Sequence, residues 1–164
     1  MILQEKDLEF NFSDAISGGK FDDCEHCLSH CMCAVDFIVE LETAYLFVEV
    51  KDPAHPCARL KEKKKFEKKA LDGILHYEIV EKFRDTFIYR WAEDKLDKPV
   101  HYISLITLDE GLTNSFQDRL MKELPFAGSA RWKQKIAQSV IVVTLDAWNR
   151  RFVKWPVRRL SAAH

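Results

Sequence analysis

The stretch that decides the fold reads Cys33-Ala34-Val35-Asp36-Phe37-Ile38-Val39-Glu40-Leu41, then Glu42-Thr43, then Ala44-Tyr45-Leu46-Phe47-Val48-Glu49-Val50-Lys51. Both arms are rich in β-branched and aromatic residues and a polar pair divides them, which is the pattern of a β-hairpin. An even-length turn centred between Glu42 and Thr43 pairs Glu40 with Tyr45 and, carried along the arms, Asp36 with Glu49. Side chains alternate along a strand, so Asp36, Glu49 and Lys51 share one face. Val35, Phe37, Val39 and Leu41 share the other with Leu46, Val48 and Val50. The expectation is one core face and one face that carries the charges. Directly opposed carboxylates repel, so keeping them beside Val, Phe and Ile points to a compensating cation. Mg²⁺, a hard ion that prefers oxygen, suits the pair. A lysine two residues past the second acid would stabilise charge developing on a phosphate, or position and deprotonate an attacking water.

These residues, Val35-Asp36-Phe37-Ile38-Val39 followed by Leu46-Phe47-Val48-Glu49-Val50-Lys51, resemble the PD-(D/E)XK superfamily of restriction-endonuclease-like nucleases. In that superfamily an acid on one strand and an E-x-K on the next form the active site. The resemblance covers about residues 22 to 92 in the order short helix, hairpin, long helix, and the later segment through Trp148-Asn149-Arg150-Arg151 resembles a bacterial branch of it. It implies Asp36 and Glu49 as ligands of Mg²⁺ or Mn²⁺, Lys51 as the water- or phosphate-positioning base, and DNA in preference to RNA as substrate. Two departures stand out. No Pro precedes Asp36, and the acid that many members supply from the first helix has only Asp22, Asp23, Glu9 and Glu25 as candidates.

Working outward, Leu8, Phe10 and Phe12 alternate with polar residues as a short strand that ends before the turn signal Ser17-Gly18-Gly19. Asp22 and Glu25 have capping-box spacing, which predicts a short helix through His26 to about His30. After Pro53 and Pro56, the run from Arg59 to Lys69 carries seven basic residues against Glu62 and Glu67 and reads as a helix. Leu71, Leu75, Ile79, Phe83, Phe87 and Trp91 then recur every four residues, predicting one long helix that packs on a sheet with Asp72 as its N-cap. Within it, Lys82 is expected to pair with Glu78 and Asp85 along the helix surface. Residues 100–108 and 139–145 read as strands, and 113–123 as an amphipathic helix closed by Pro125. The sum is an α/β domain spanning 1–164, with a central mixed β-sheet flanked by helices and a restriction-endonuclease-like core.

The bulk numbers narrow the partners. With 25 Lys and Arg against 26 Asp and Glu in 164 residues, net charge −1 carries no global signal for nucleic acid or membrane, so any such signal is local. Arg59, Lys61, Lys64, Lys65 and Lys68 directly follow the E-x-K strand and are candidates for tracking a phosphate backbone, against the alternative of a solvated lysine-rich helix. No leader pattern or long apolar run is evident, which predicts a cytoplasmic protein without a membrane partner. Five cysteines, four of them at 24, 27, 31 and 33 with His26 and His30 between, could ligate Zn²⁺ or an iron–sulfur cluster. The spacing is too short for a standard knuckle pair and favours small buried thiols, with Cys31 and Cys33 on the apolar strand face. Trp148, Phe152 and Trp155 stand among five basic residues near the end, and docking to the core is favoured over stacking on bases.

Three functional classes follow. The first is a metal-dependent nuclease. The second is a non-catalytic nucleic-acid or protein interaction module on the same fold, acting with a protein partner or as an oligomer. The third is a cysteine-based metal or redox sensor.

Overall fold

The computed structural model describes residues 1–23, 28–124 and 128–161. The chain order is β1 (Ile2–Glu5), β2 (Leu8–Asn11), β3 (Ser17–Lys20), β4 (Phe37–Glu40), β5 (Tyr45–Lys51), α1 (Leu60–Leu71), α2 (Ile74–Ala92), β6 (Val100–Ile106), α3 (Glu110–Glu123), β7 (Ser139–Val143), α4 (Leu145–Arg151) and β8 (Val157–Arg159). The expected α/β architecture is present. A five-stranded mixed sheet runs β3-β4-β5-β6-β7, antiparallel through β5 and parallel from β5 to β7. The α1–α2 pair makes the crossover between β5 and β6, and α3 that between β6 and β7, as parallel neighbours require.

The hairpin takes the register read from its turn, with Phe37 opposite Val48 and Glu40 opposite Tyr45. The expected division into a core face and a charged face does not hold. Phe37, Val39, Leu46, Val48 and Val50 pack into one cluster with Phe10, Phe12 and Trp148. Ile38, Tyr45 and Phe47 pack into another with Leu75, Ile79 and Phe83 of α2. Both faces are buried because α2 and α3 cover one, while α4 and a second sheet, β1-β2-β8, cover the other. Val35 also departs from the expected face. It precedes β4, its N–H donates to Thr86 Oγ1 on α2 at 3.0 Å, and it joins the α2 cluster.

Ser17-Gly18-Gly19, expected to be a turn, is strand β3. Its glycines suit close pairing, since a Cβ on Gly18 would come within 2.8 Å of the Ile38 carbonyl oxygen. The long helix is also interrupted. Asp72 closes α1 instead of opening α2, and Gly73, at φ 79°, makes the left-handed joint where a Cβ would meet the Arg119 guanidinium at 2.6 Å. The apolar stripe is therefore buried at Leu75, Ile79 and Phe83 but exposed at its ends, Leu71 (69%) and Trp91 (67%).

The helix expected from Asp22 to His30 falls partly on residues outside those described, namely Cys24, Glu25, His26 and Cys27; bends and turns occupy 21–23 and 29–31. Pro125 also lies outside them. Cys31 and Cys33 are exposed free thiols, not buried ones, because residues 28–36 form no strand, and Cys57 is an exposed free thiol as well. The tail docks, as favoured: Trp148 is fully buried and its indole N–H donates to the Trp155 carbonyl at 2.6 Å. Among the described residues no helix is long and apolar enough to cross a membrane.

Candidate active site

The hairpin register carries Asp36, one residue before β4, to the side of β5 from which Glu49 points, and α2 lies over both. Asp36 is held by its own backbone and side chain: its carbonyl accepts from Phe21 N–H at 2.9 Å, and Oδ2 accepts from Val50 N–H at 2.6 Å. Glu49 is completely buried. Its Oε1 lies 2.6 Å from Lys51 Nζ and 2.9 Å from Lys82 Nζ, so two ammonium groups converge on one carboxylate oxygen. Oε2 has no hydrogen-bond partner among the described residues. Asp36, Glu49 and Lys51 are thus brought together, as the sequence led one to expect.

Two further residues complete the group. Of the four candidates for a third acid, Asp22 stands at the exposed rim of the site, close enough to Asp36 for the two charges to interact. Glu9 instead pairs with Arg158 on the second sheet at 2.8 Å, Asp23 is exposed, and Glu25 lies outside the described residues. Lys82 does not form the helix-surface pairing expected of it. Its Nζ in fact reaches across to Asp36 Oδ1 at 3.2 Å as well as to Glu49, while Glu78 pairs with Lys69 and Asp85 accepts from Cys33 N–H. The signal for Lys82 was its position, three residues after Ile79 and four before Thr86, on the flank of the sheet-facing stripe.

The electrostatics follow from burial. Desolvation, with the Asp36 charge next, pushes the Glu49 carboxyl up to about 7 although Lys51 and Lys82 pull the other way. Partial desolvation and then Asp36 push Asp22 up to about 6. Burial alone would lower the Lys82 ammonium, yet Glu49 and Asp36 outweigh it and raise it. Next along β5, Arg159 of β8 grips Asp52 with two hydrogen bonds of 2.8 and 2.6 Å. With Thr107 it outweighs burial and lowers that carboxyl, which pins the strand end carrying Lys51.

The site opens into a cleft of about 750 Å³ whose walls include Asp22, Asp36, Lys51 and Lys82. From α1, it is Glu62, Lys63, Phe66 and Lys69 that line this cleft; Arg59, Lys61, Lys64, Lys65 and Lys68 lie exposed on the rest of the helix surface. The donor set fits a hard divalent ion. Asp36 and Glu49 supply only oxygens, and one of those oxygens is buried without a partner among the described residues, while Asp22 stands too far out to bring a third carboxylate oxygen within 4.8 Å of both. A different grouping, the Cys33 thiol with the Glu81 and Asp85 carboxylates, has ligand atoms within 4.8 Å of one another at the surface. Partial desolvation, with Glu81 and Asp85 next, raises that thiol, which keeps it protonated and a poor ligand near neutral pH.

A pH dependence follows for the metal-free protein. Glu49 is raised from 4.5 to about 7, so the folded chain holds that proton more tightly than the unfolded one. The stability it contributes is complete below the unfolded value and is lost as pH rises through the folded one. Wild type should therefore lose stability relative to Glu49→Gln between about pH 5 and 8, measured by urea unfolding. His76 and His101, both lowered by burial, act oppositely in part of this window and cancel in the comparison. Parallel curves for the two proteins would show that Glu49 does not titrate there.

No protein-family model, no curated protein and no solved structure matches the chain, so its site is characterised by its own geometry.

Proposed function

We propose that the chain is a cytoplasmic, Mg²⁺- or Mn²⁺-dependent nuclease that hydrolyses phosphodiester bonds of nucleic acid, DNA by the resemblance, on a restriction-endonuclease-like core. The observation that carries this reading is the convergence of Asp36 and Lys51 on one cleft, with Glu49 against Lys51, fully buried and with one of its oxygens unpartnered among the described residues. Asp36 and Glu49 would hold the ion, with Asp22 beside them. The ion would supply Lewis acidity toward the phosphoryl oxygen and a lowered pKa for water. Lys51, with its ammonium against Glu49 and open to the cleft, positions the attacking water and stabilises charge developing on the phosphate. Asp22, its carboxyl raised toward neutrality, is placed to accept a proton. Lys63 and Lys69 on the cleft wall, with Arg59, Lys61, Lys64, Lys65 and Lys68 around the helix, give the polyanion a basic track.

One observation favours a second reading, a non-catalytic nucleic-acid or protein interaction module. Lys82 already supplies a positive charge to both Asp36 and Glu49, so their repulsion is offset without a metal. Purified protein incubated with plasmid, linear duplex and single-stranded DNA, with Mg²⁺ or Mn²⁺, separates the two. The expected result is cleavage that chelator abolishes and that Lys51→Ala slows by about 10²-fold or more. Inactivity on every substrate form with both ions would favour the interaction module.

A further inference from the structure

Lys82 sits where a shared cation would sit. Its Nζ is 3.2 Å from Asp36 Oδ1 and 2.9 Å from Glu49 Oε1, one oxygen from each of the two carboxylates that the hairpin sets opposite each other. An ion bonded to those same oxygens would lie about 2.0 to 2.6 Å from each, inside the volume the ammonium fills. Two cations cannot occupy that one position between the carboxylates, whereas Lys51 Nζ, 2.6 Å from Glu49 Oε1, pairs with Glu49 alone and does not stand between the two. The independent sign that the carboxylates await a ligand is Glu49 Oε2, fully buried and without a hydrogen-bond partner among the described residues.

We propose that Lys82 is a built-in counter-cation that occupies the divalent-ion position between Asp36 and Glu49 and is expelled into the cleft when the ion binds. This rests on the metal-site reading of the previous subsection and adds a regulatory property to it. The lysine has room to leave. Its side chain has four rotatable carbons, retains 20% exposure, and already lines the cleft together with Glu78, one turn earlier on α2. In the loaded protein the displaced ammonium has two anionic destinations, Glu78, where it would share the carboxylate with Lys69, and a nucleic-acid phosphate entering the cleft. A phosphate that receives Lys82 relieves the competition for the carboxylates, so ion and polyanion strengthen each other's binding. By thermodynamic reciprocity the same factor applies in both directions. Without nucleic acid the ion competes with an intramolecular charge and binds weakly.

Two measurements test this, neither of which is an activity. In Mn²⁺ titration calorimetry, Lys82→Met should bind roughly tenfold tighter than wild type or more, and Lys82→Arg, which keeps the charge, should bind like wild type. The wild-type chain gives a second readout that does not depend on any variant folding. Amine acetylation followed by mass spectrometry should label Lys82 several-fold faster with saturating Mg²⁺ than without it, with exposed Lys61 as the unchanged reference. Equal or weaker Mn²⁺ binding by Lys82→Met, or Lys82 labelling indifferent to Mg²⁺ in a protein that binds the ion, overturns the exchange and leaves the metal site standing. Absence of Mn²⁺ binding in wild type and Lys82→Met alike overturns the exchange and the metal-site reading together.

Discussion

Asp36→Asn should leave nucleic-acid binding intact or slightly stronger while cleavage falls by about 10³-fold or more. The change removes one negative charge facing a polyanion, which favours binding. It also removes charge from an oxygen placed to hold the ion, and with it the stabilisation of the pentacovalent phosphate. Val50 N–H, which Asp36 Oδ2 accepts at 2.6 Å, keeps a partner if the Asn carboxamide oxygen takes that place, so the backbone should stay in position. Glu49→Gln should behave alike, because Glu49 is the buried member of the pair. Lys51→Ala should lose rate with less effect on metal affinity, since an ammonium does not ligate a cation. Electrophoretic binding assays on uncut DNA, run beside single-turnover cleavage, separate the two effects. Cleavage that survives all three substitutions would place the active site elsewhere.

Trp148→Ala should be the most destabilising single truncation among the aromatic residues of the tail. Trp148 is fully buried between the two sheets, its ring edge-on to Phe10 at 5.4 Å and to Phe152 at 5.0 Å, and its indole N–H is satisfied by the Trp155 carbonyl. Removing a buried Trp costs about 3 to 5 kcal/mol, against a total of roughly 5 to 15 kcal/mol for a domain. Thermal unfolding should therefore shift down by on the order of 10 °C. DNA affinity of the protein that remains folded should not change, because the ring faces the core and not the cleft. Lost affinity with unchanged stability would instead mean that this tryptophan stacks on bases.

The two expectations differ in how far the sequence supports them. Asp36 and Glu49 could be paired from the text alone because turn length and strand alternation are local properties, and the observed pairing of Phe37 with Val48 follows from them. Lys82 could not be placed that way. Its partners lie 46 and 33 positions away along the chain, and the helix pattern offered nearer acids at Glu78 and Asp85. The same limit applies to the basic run. Composition marked α1 as lysine-rich, but which lysines face the cleft depends on how the helix is rotated against the sheet, and that rotation selected Lys63 and Lys69.

By itself, then, the sequence determined the hairpin and its register, the helical and extended character of most segments, and the grouping of an acid pair with a lysine. Each depends on periodicity or turn geometry within a span of some twenty residues. Tertiary structure decided what long-range packing alone can decide. It buried both faces of the hairpin by laying α2 on one side and a second sheet on the other, and closed that sheet by pairing Leu8 with Arg159. It turned Ser17-Gly18-Gly19 into a strand because a neighbouring backbone was there to pair with. It also set Lys82 between two carboxylates, where removing water makes the placement of each charge decisive.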